Sequence, residues 1–148
     1  LIMKINAINK KVYVGMVADI LHHGHINILV IAHSKGDVTV GLLTDEAVSS
    51  YKRTPVIPYK NRKEVISSIR YVKDVIPQNT LDYTENLLLL KPDIVVHGSD
   101  WRTGPQQKTR KKVIDTLSEW GGILVEPEYT RGISTSDIIE KIKNGYTD

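Results

Sequence analysis

Lys11-Val12-Tyr13-Val14-Gly15-Met16-Val17-Ala18 is an apolar, β-branched run, and Asp19-Ile20-Leu21-His22-His23-Gly24-His25 follows it directly. Beyond it, Ile26, Leu29, Val30 and His33 fall at helical spacing. A buried strand that turns into an amphipathic helix through a short polar joint is the opening unit of a β/α fold. The joint also carries chemistry. His22 and His25, separated by a residue and a glycine, can bring ring N–H donors to the place where a helix leaves its first backbone amides free, and a phosphate suits that place.

The same alternation continues along the chain. Apolar β-rich runs recur at Val38 to Leu43, Val72 to Ile76, Ile94 to His97 and Ile123 to Val125, while Val65, Ile66 and Ile69, and then Val113, Ile114 and Leu117, fall at helical spacing. Continuous apolar runs belong to strands buried on both faces, and the stripes belong to helices that cover them. Gly36 and Gly121-Gly122 stand where helices should stop, and Pro77, Pro92 and Pro127 are placed in the turns around strands. The expectation is a single Rossmann-like three-layer α/β/α domain with a parallel sheet of about five strands and a ligand outside their carboxyl ends. The first ten residues show no pattern, so a 1–10 N-terminal arm is expected ahead of a domain over 11–148.

Composition narrows the function. The 148 residues fit one domain with a real core, and 41% apolar with 25% charged residues argues against disorder. With no cysteine, thiolate metal sites and cysteine nucleophiles are excluded. The longest apolar run, Leu87-Leu88-Leu89-Leu90, ends at Lys91-Pro92, and the N-terminus lacks the core of a signal peptide, so a cytoplasmic protein with no membrane span is expected. Net charge is only +3, and Lys108-Thr109-Arg110-Lys111-Lys112 has no interleaved aromatic residues. That run reads as a solvated helix face, and nucleic acid is not an expected partner.

Neither G-x-G-x-x-G nor a P-loop follows the first strand, so phosphate recognition has to come from imidazoles and helix N-termini. A metal site built on the three histidines lacks cysteines and a carboxylate cluster to complete it. A second anion site begins at Gly132-Ile133-Ser134-Thr135-Ser136, where glycine and hydroxyls open an amphipathic helix. Ser134 or Thr135 can cap that helix while its first amides and the hydroxyls hold phosphates.

The spacing His22-x-Gly24-His25 is the H-x-G-H signature of nucleotidyltransferases, and the chain resembles the cytidylyltransferase family, which includes the glycerol-3-phosphate, choline-phosphate and ethanolamine-phosphate enzymes. The matching stretches are Asp19 to His25, Gly41 to Glu46, Asn61-Arg62-Lys63, Ile69 to Pro77, His97-Gly98-Ser99-Asp100-Trp101 and Gly132 to Ile138. Tyr51-Lys52-Arg53, Leu81-Asp82-Tyr83, Val95 to Gly98 and Trp101 to Gly104 are most similar to the cytidylyltransferase domain joined to some phosphoenolpyruvate mutases of phosphonate biosynthesis.

The resemblance implies a Mg²⁺-dependent transfer of CMP from CTP to a small phosphonate or phosphorylated alcohol, with release of pyrophosphate. His22 and His25 would stabilise the transferring group, and Lys52 or Arg53 would neutralise phosphate charge. Val17, Ala18, Asp19 and Gly24 would line the triphosphate, with Asp19 orienting groups or approaching a Mg²⁺ that no protein residue ligates directly. His97, Gly98, Asp100 and Trp101 would sit by the nucleoside, the indole stacking on it. Tyr129, Arg131 and Gly132 to Ser136 would complete the phosphate site. Arg70 matches a segment near the family's dimer interface, so a homodimer is implied, and the chain could be one domain of a mutase fusion.

Three departures stand out. Met16-Val17-Ala18-Asp19 replaces the family's Gly-Thr-Phe-Asp, Tyr129 replaces an arginine, and Lys73 replaces an aspartate. Either Arg131 or Lys52 would supply the missing charge. The competing readings are adenylyl transfer from ATP, transfer to glycerol 3-phosphate or another phospho-alcohol, and a nucleotide-binding regulatory module. The chain is too short for an aminoacyl-tRNA synthetase.

Overall fold

A computed structural model describes residues 9–145. Five parallel strands form one sheet: β1 (Lys11–Met16), β2 (Asp37–Leu43), β3 (Asp74–Gln78), β4 (Ile94–Val96) and β5 (Ile123–Val125), in the order β3-β2-β1-β4-β5. The helices between them are α1 (His23–His33), α2 (Asp45–Ser49), α3 (Tyr59–Ser67), α4 (Thr84–Leu90) and α5 (Gln107–Ser118); α6 (Thr135–Lys143) closes the chain, and Ser99–Arg102 makes one 3-10 turn. The three-layer α/β/α domain expected from the alternation is the one observed. No helix among the described residues is long and apolar enough to cross a membrane.

Both faces of the sheet are buried, and side-chain alternation sorts them. Val12 and Val14 of β1 join Val38, Val40 and Leu42 of β2 against Leu29 and Ala32 of α1 and Ile66 of α3. On the opposite face Tyr13 and Val95 pack with Tyr83, Leu87, Trp101, Val113 and Leu117. Two strand glycines admit the large rings of that second layer. A Cβ on Gly41 would overlap the Tyr13 hydroxyl, and one on Gly15 would overlap that of Tyr83. The buried Tyr13 hydroxyl donates to Gln78 Oε1 at 2.6 Å and accepts from Asn86 Nδ2 at 3.0 Å, which ties β1, β3 and α4 together.

The expected strand at Val72 to Ile76 instead begins at Asp74 and ends at Gln78. Pro77, expected in a turn, lies inside it, paired in register with Leu42. β3 is an edge strand, so its outer side has no ladder from which a missing N–H could be subtracted. The Leu87 to Leu90 run is helical; Leu87 is buried and Leu89 is 75% exposed. Residues 1–8 of the expected arm lie outside the described residues. Asn9 and Lys10 are hydrogen-bonded to the start of β2, through Asp37 Oδ1 and the Asp37 amide respectively. Lys111 and Lys112 of the basic run pair with Asp115 and Asp82 on the surface.

Candidate active site

The chain crosses from β3 at one edge to β4 beside β1, so the strand order reverses between β1 and β4. A crevice opens outside the carboxyl ends of strands at such a reversal. A cavity of about 290 Å³ occupies it.

The first wall is the start of α1. His22 is its N-cap, and its Nδ1 accepts from the Gly24 amide at 3.1 Å, while His25 Nδ1 accepts from the His22 amide at 3.2 Å. Two imidazoles thus make the reciprocal capping box that Ser and Glu make elsewhere. Because a backbone N–H can only donate, each Nδ1 must be unprotonated, and each ring carries its proton on Nε2. The rings lie 4.0 Å apart and both line the cavity. Burial is the first cause that pushes His25 down to about 4, with His22 and Lys52 adding to it; burial and His23 lower His22. Both rings are therefore neutral near pH 7. Gly24 is required for this packing: a Cβ there would meet His22 Cε1 at 2.8 Å. His23 is exposed.

Asp19, expected to orient groups or approach the metal, lines the cavity and orients the neighbouring loop. It is 3% exposed, and its oxygens accept from the amides of Val56 and Ile57, both at 2.9 Å, and from Arg53 at 3.2 Å. Its carboxylate anchors the loop that bears Lys52 and Arg53. Ala18, at φ +50 in the left-handed region, turns the backbone to aim it. Among the described residues no three His, Asp or Glu side chains gather as a metal-binding group. Both Asp19 oxygens are already engaged by N–H donors, which leaves them fewer lone pairs for a cation.

Lys52 lines the cavity, exposed, with its ammonium 5.4 Å from the Tyr51 ring centroid; partial desolvation is the first cause lowering its pKa, with Arg53 adding to it. Arg53 also lines it, and its Nε is buried without a partner among the described residues. Arg131 is 87% exposed, paired at 3.8 Å with Glu128, and is not on the cavity wall. Of the two residues expected to replace the family arginine, Lys52 is the one on the cavity wall.

The opposite wall comes from Tyr129, Ile133 and the start of α6. Gly132, at φ +80, turns the chain into it. Ser134 is the N-cap, accepting from the Asp137 amide at 3.0 Å. Thr135 donates its hydroxyl proton to the Ile20 carbonyl at 3.1 Å, so this hydroxyl joins the two walls instead of donating to a ligand. Ser136 lines the cavity beside them.

Across β4, His97, Gly98 and Asp100 line the cavity but Trp101 does not. The indole expected to stack on a nucleoside is 1% exposed, covered by the His97 ring at 3.6 Å and 7°. Its Nε1 donates to Glu126 at 2.7 Å, and Arg110 clamps Glu126 through Nε at 2.8 Å and a second nitrogen at 2.9 Å. The hydrogen bond from Arg110, with those from Trp101 and Arg102, overcomes desolvation and pulls Glu126 down to about 2.

Tyr51, Leu81 and Tyr83, quoted from the sequence only within matching stretches and given no role, also line the cavity. Arg62 was likewise quoted without a role. Arg62 is 1% exposed and donates to the carbonyls of Ile57, Val17 and Leu43, each at 2.8 Å, and to Asp45 at 2.7 Å, which knots the ends of β1 and β2 to the Asp19-anchored loop. A signal was available, since Arg62 interrupts the apolar stripe it shares with Ile66 and Ile69 at helical spacing.

Fold and site together define a Rossmann-like α/β domain in which helix N-termini and neutral imidazoles face one crevice. Residues 13–141 match the cytidylyltransferase-like family model, and the chain belongs to that family. It is similar to FAD synthase of Methanopyrus kandleri, 34% identical over 118 residues, covering 77% of this chain and 75% of that protein. It is also similar to the bifunctional protein HldE of Helicobacter pylori, 34% identical over 142 residues; these are 94% of this chain but only 29% of HldE. Among solved structures, a lipopolysaccharide core biosynthesis protein from Thermoplasma volcanium shares the fold with TM-score 0.69 and 23% identity, over 82% of this chain and 99% of that one.

Proposed function

We propose that the protein transfers CMP from CTP, supplied as its Mg²⁺ complex, to a small phosphonate such as 2-hydroxyethylphosphonate or to a phosphorylated alcohol, releasing pyrophosphate. The observation that carries this reading is the pair of Nε2–H donors of His22 and His25 on the same cavity as the N-terminus of α6. An acceptor oxygen, already ionised near neutral pH, attacks the α-phosphorus in line, and pyrophosphate leaves with the electron pair of the broken P–O bond. No general base is needed. The two imidazoles donate to α-phosphate oxygens whose charge grows toward the transition state, while Lys52 and the α6 terminus hold the leaving phosphates. The site does the work by positioning and charge stabilisation.

A second reading, adenylyl transfer from ATP, is favoured by the likeness to FAD synthase. The test is a mass-spectrometric assay with Mg²⁺, CTP or ATP, and 2-hydroxyethylphosphonate, 2-aminoethylphosphonate, glycerol 3-phosphate, phosphocholine and phosphoethanolamine as acceptors. A CMP adduct of a phosphonate supports the proposal, an adduct of a phosphate ester moves it to the phospho-alcohols, and an AMP adduct selects the second reading. Nucleotide binding with no product would make the chain a regulatory module. We also propose a homodimer, on the resemblance around Arg70; a monomer in sedimentation at assay concentration would overturn it.

A further inference from the structure

The third imidazole on the cavity is held in the opposite tautomer. His97 Nδ1 lies 2.7 Å from the Gly98 carbonyl. A carbonyl oxygen can only accept, so Nδ1 carries the proton and Nε2 carries the lone pair. Burial keeps the ring neutral in spite of the Gly98 carbonyl and the two carboxylates that face it, Asp100 and Glu126. The ring plane is fixed from below by Trp101, whose indole is itself held by the arginine-clamped Glu126. No hydrogen bond engages His97 Nε2 among the described residues, and the residue lines the cavity.

We propose that His97 is a specificity-determining residue whose Nε2 accepts a hydrogen bond from an N–H or O–H group of a substrate. The proposal rests on the nucleotidyl-transfer reading and extends it. A phosphate oxygen brought to this point would meet a lone pair with Asp100 3.9 Å from the other ring nitrogen, so the phosphates are left to His22, His25 and Lys52. The donor belongs either to the exocyclic amine of a nucleobase, present in cytosine and adenine but replaced by a carbonyl in uracil, or to the terminal hydroxyl or amine of the acceptor.

The experiment compares kcat/KM ratios in two arms, CTP against UTP with one acceptor, and 2-hydroxyethylphosphonate against ethylphosphonate with CTP. The native chain and His97→Phe are measured; the phenyl ring keeps a face for Trp101 and removes the acceptor. We expect the native protein to prefer the donor-bearing partner about tenfold or more in one arm, and His97→Phe to bring that ratio near one. His97→Gln, which restores an acceptor oxygen, should recover part of it, and it carries the test if near-UV circular dichroism shows that the Phe variant is misfolded. Ratios unchanged in both arms, including a uniform rise in KM for every substrate, would overturn the proposal. Absence of turnover by the native chain would overturn the transfer reading alone, since the same ratios taken as dissociation constants by calorimetry still decide His97.

Discussion

Two helices bring their N-termini to one cavity, and they are held there by different means. α1 lies on the sheet with Leu29 and Ala32 at 0% exposure, and its cap is built from the site's own histidines. α6 has no buried residue, and Ile142 is 68% exposed. Its start is tied to the other wall by the bond from Thr135 to Ile20, and Ile138 and Ile139 are only half-buried. The proposed donors to the α-phosphate oxygens thus sit on a helix packed into the core, and the contacts proposed for the leaving phosphates sit on one with no buried residue.

Four measurements break or sharpen that contrast. The largest effect is expected on the rigid side. His22→Ala or His25→Ala should lower kcat by about a hundredfold to a thousandfold, or about 2.7–4 kcal/mol on the barrier, with a much smaller change in nucleotide Kd. Unchanged turnover in both would remove the assigned role.

Packing should follow the same division in urea denaturation. Leu29→Ala is expected to cost about 3 kcal/mol of stability. Ile142→Ala should stay within about 0.5 kcal/mol, as for an ordinary surface change. Equal losses would mean that α6 is packed as firmly as α1.

The capping histidines also make stability pH-dependent on the α1 side. The folded chain holds His25 at about 4 against 6.5 for the unfolded one, so the unfolded state binds more protons between those values. Stability should be full above 6.5, fall as pH drops toward 4 and level off below for this group. His25→Asn should flatten the slope in that window. Glu126 adds a later loss, as pH falls from 4.5 toward about 2.

The smallest effect tests the link between the walls. Thr135→Val keeps the shape and removes the bond to Ile20, which should weaken nucleotide binding by about 1 kcal/mol in calorimetry with little change in Tm. No change in affinity would mean that α6 is held by other contacts.

Much of this arrangement was legible beforehand, for reasons that particular elements show. β5 falls at Ile123–Val125 as expected because its apolar run is bounded by Gly121-Gly122 and Pro127. α2 and α4 were not singled out, since helices of five and seven residues are too short to display a stripe. β3 slipped toward Gln78 because the hydrogen-bonding partner of an edge strand, and not its own composition, sets where pairing begins.

In the site the division is similar. The His22-x-Gly24-His25 joint and the Gly132 to Ser136 helix start are local patterns, and both arrive on the cavity. The roles of Asp19, Arg62 and Trp101 are not local. Asp19 bonds residues 37 and 38 positions away, and Trp101 bonds a glutamate 25 positions on. The sequence by itself determined the β/α alternation, the histidine joint and the family, because periodicity and motif spacing are properties of neighbouring residues. Only the tertiary structure decided that Asp19 anchors a loop, that Trp101 supports a ring in place of a nucleoside, and which nitrogen of each imidazole keeps its proton. Each of these depends on which backbone amide or carbonyl the fold brings within hydrogen-bond reach, and so on the folded geometry of the chain.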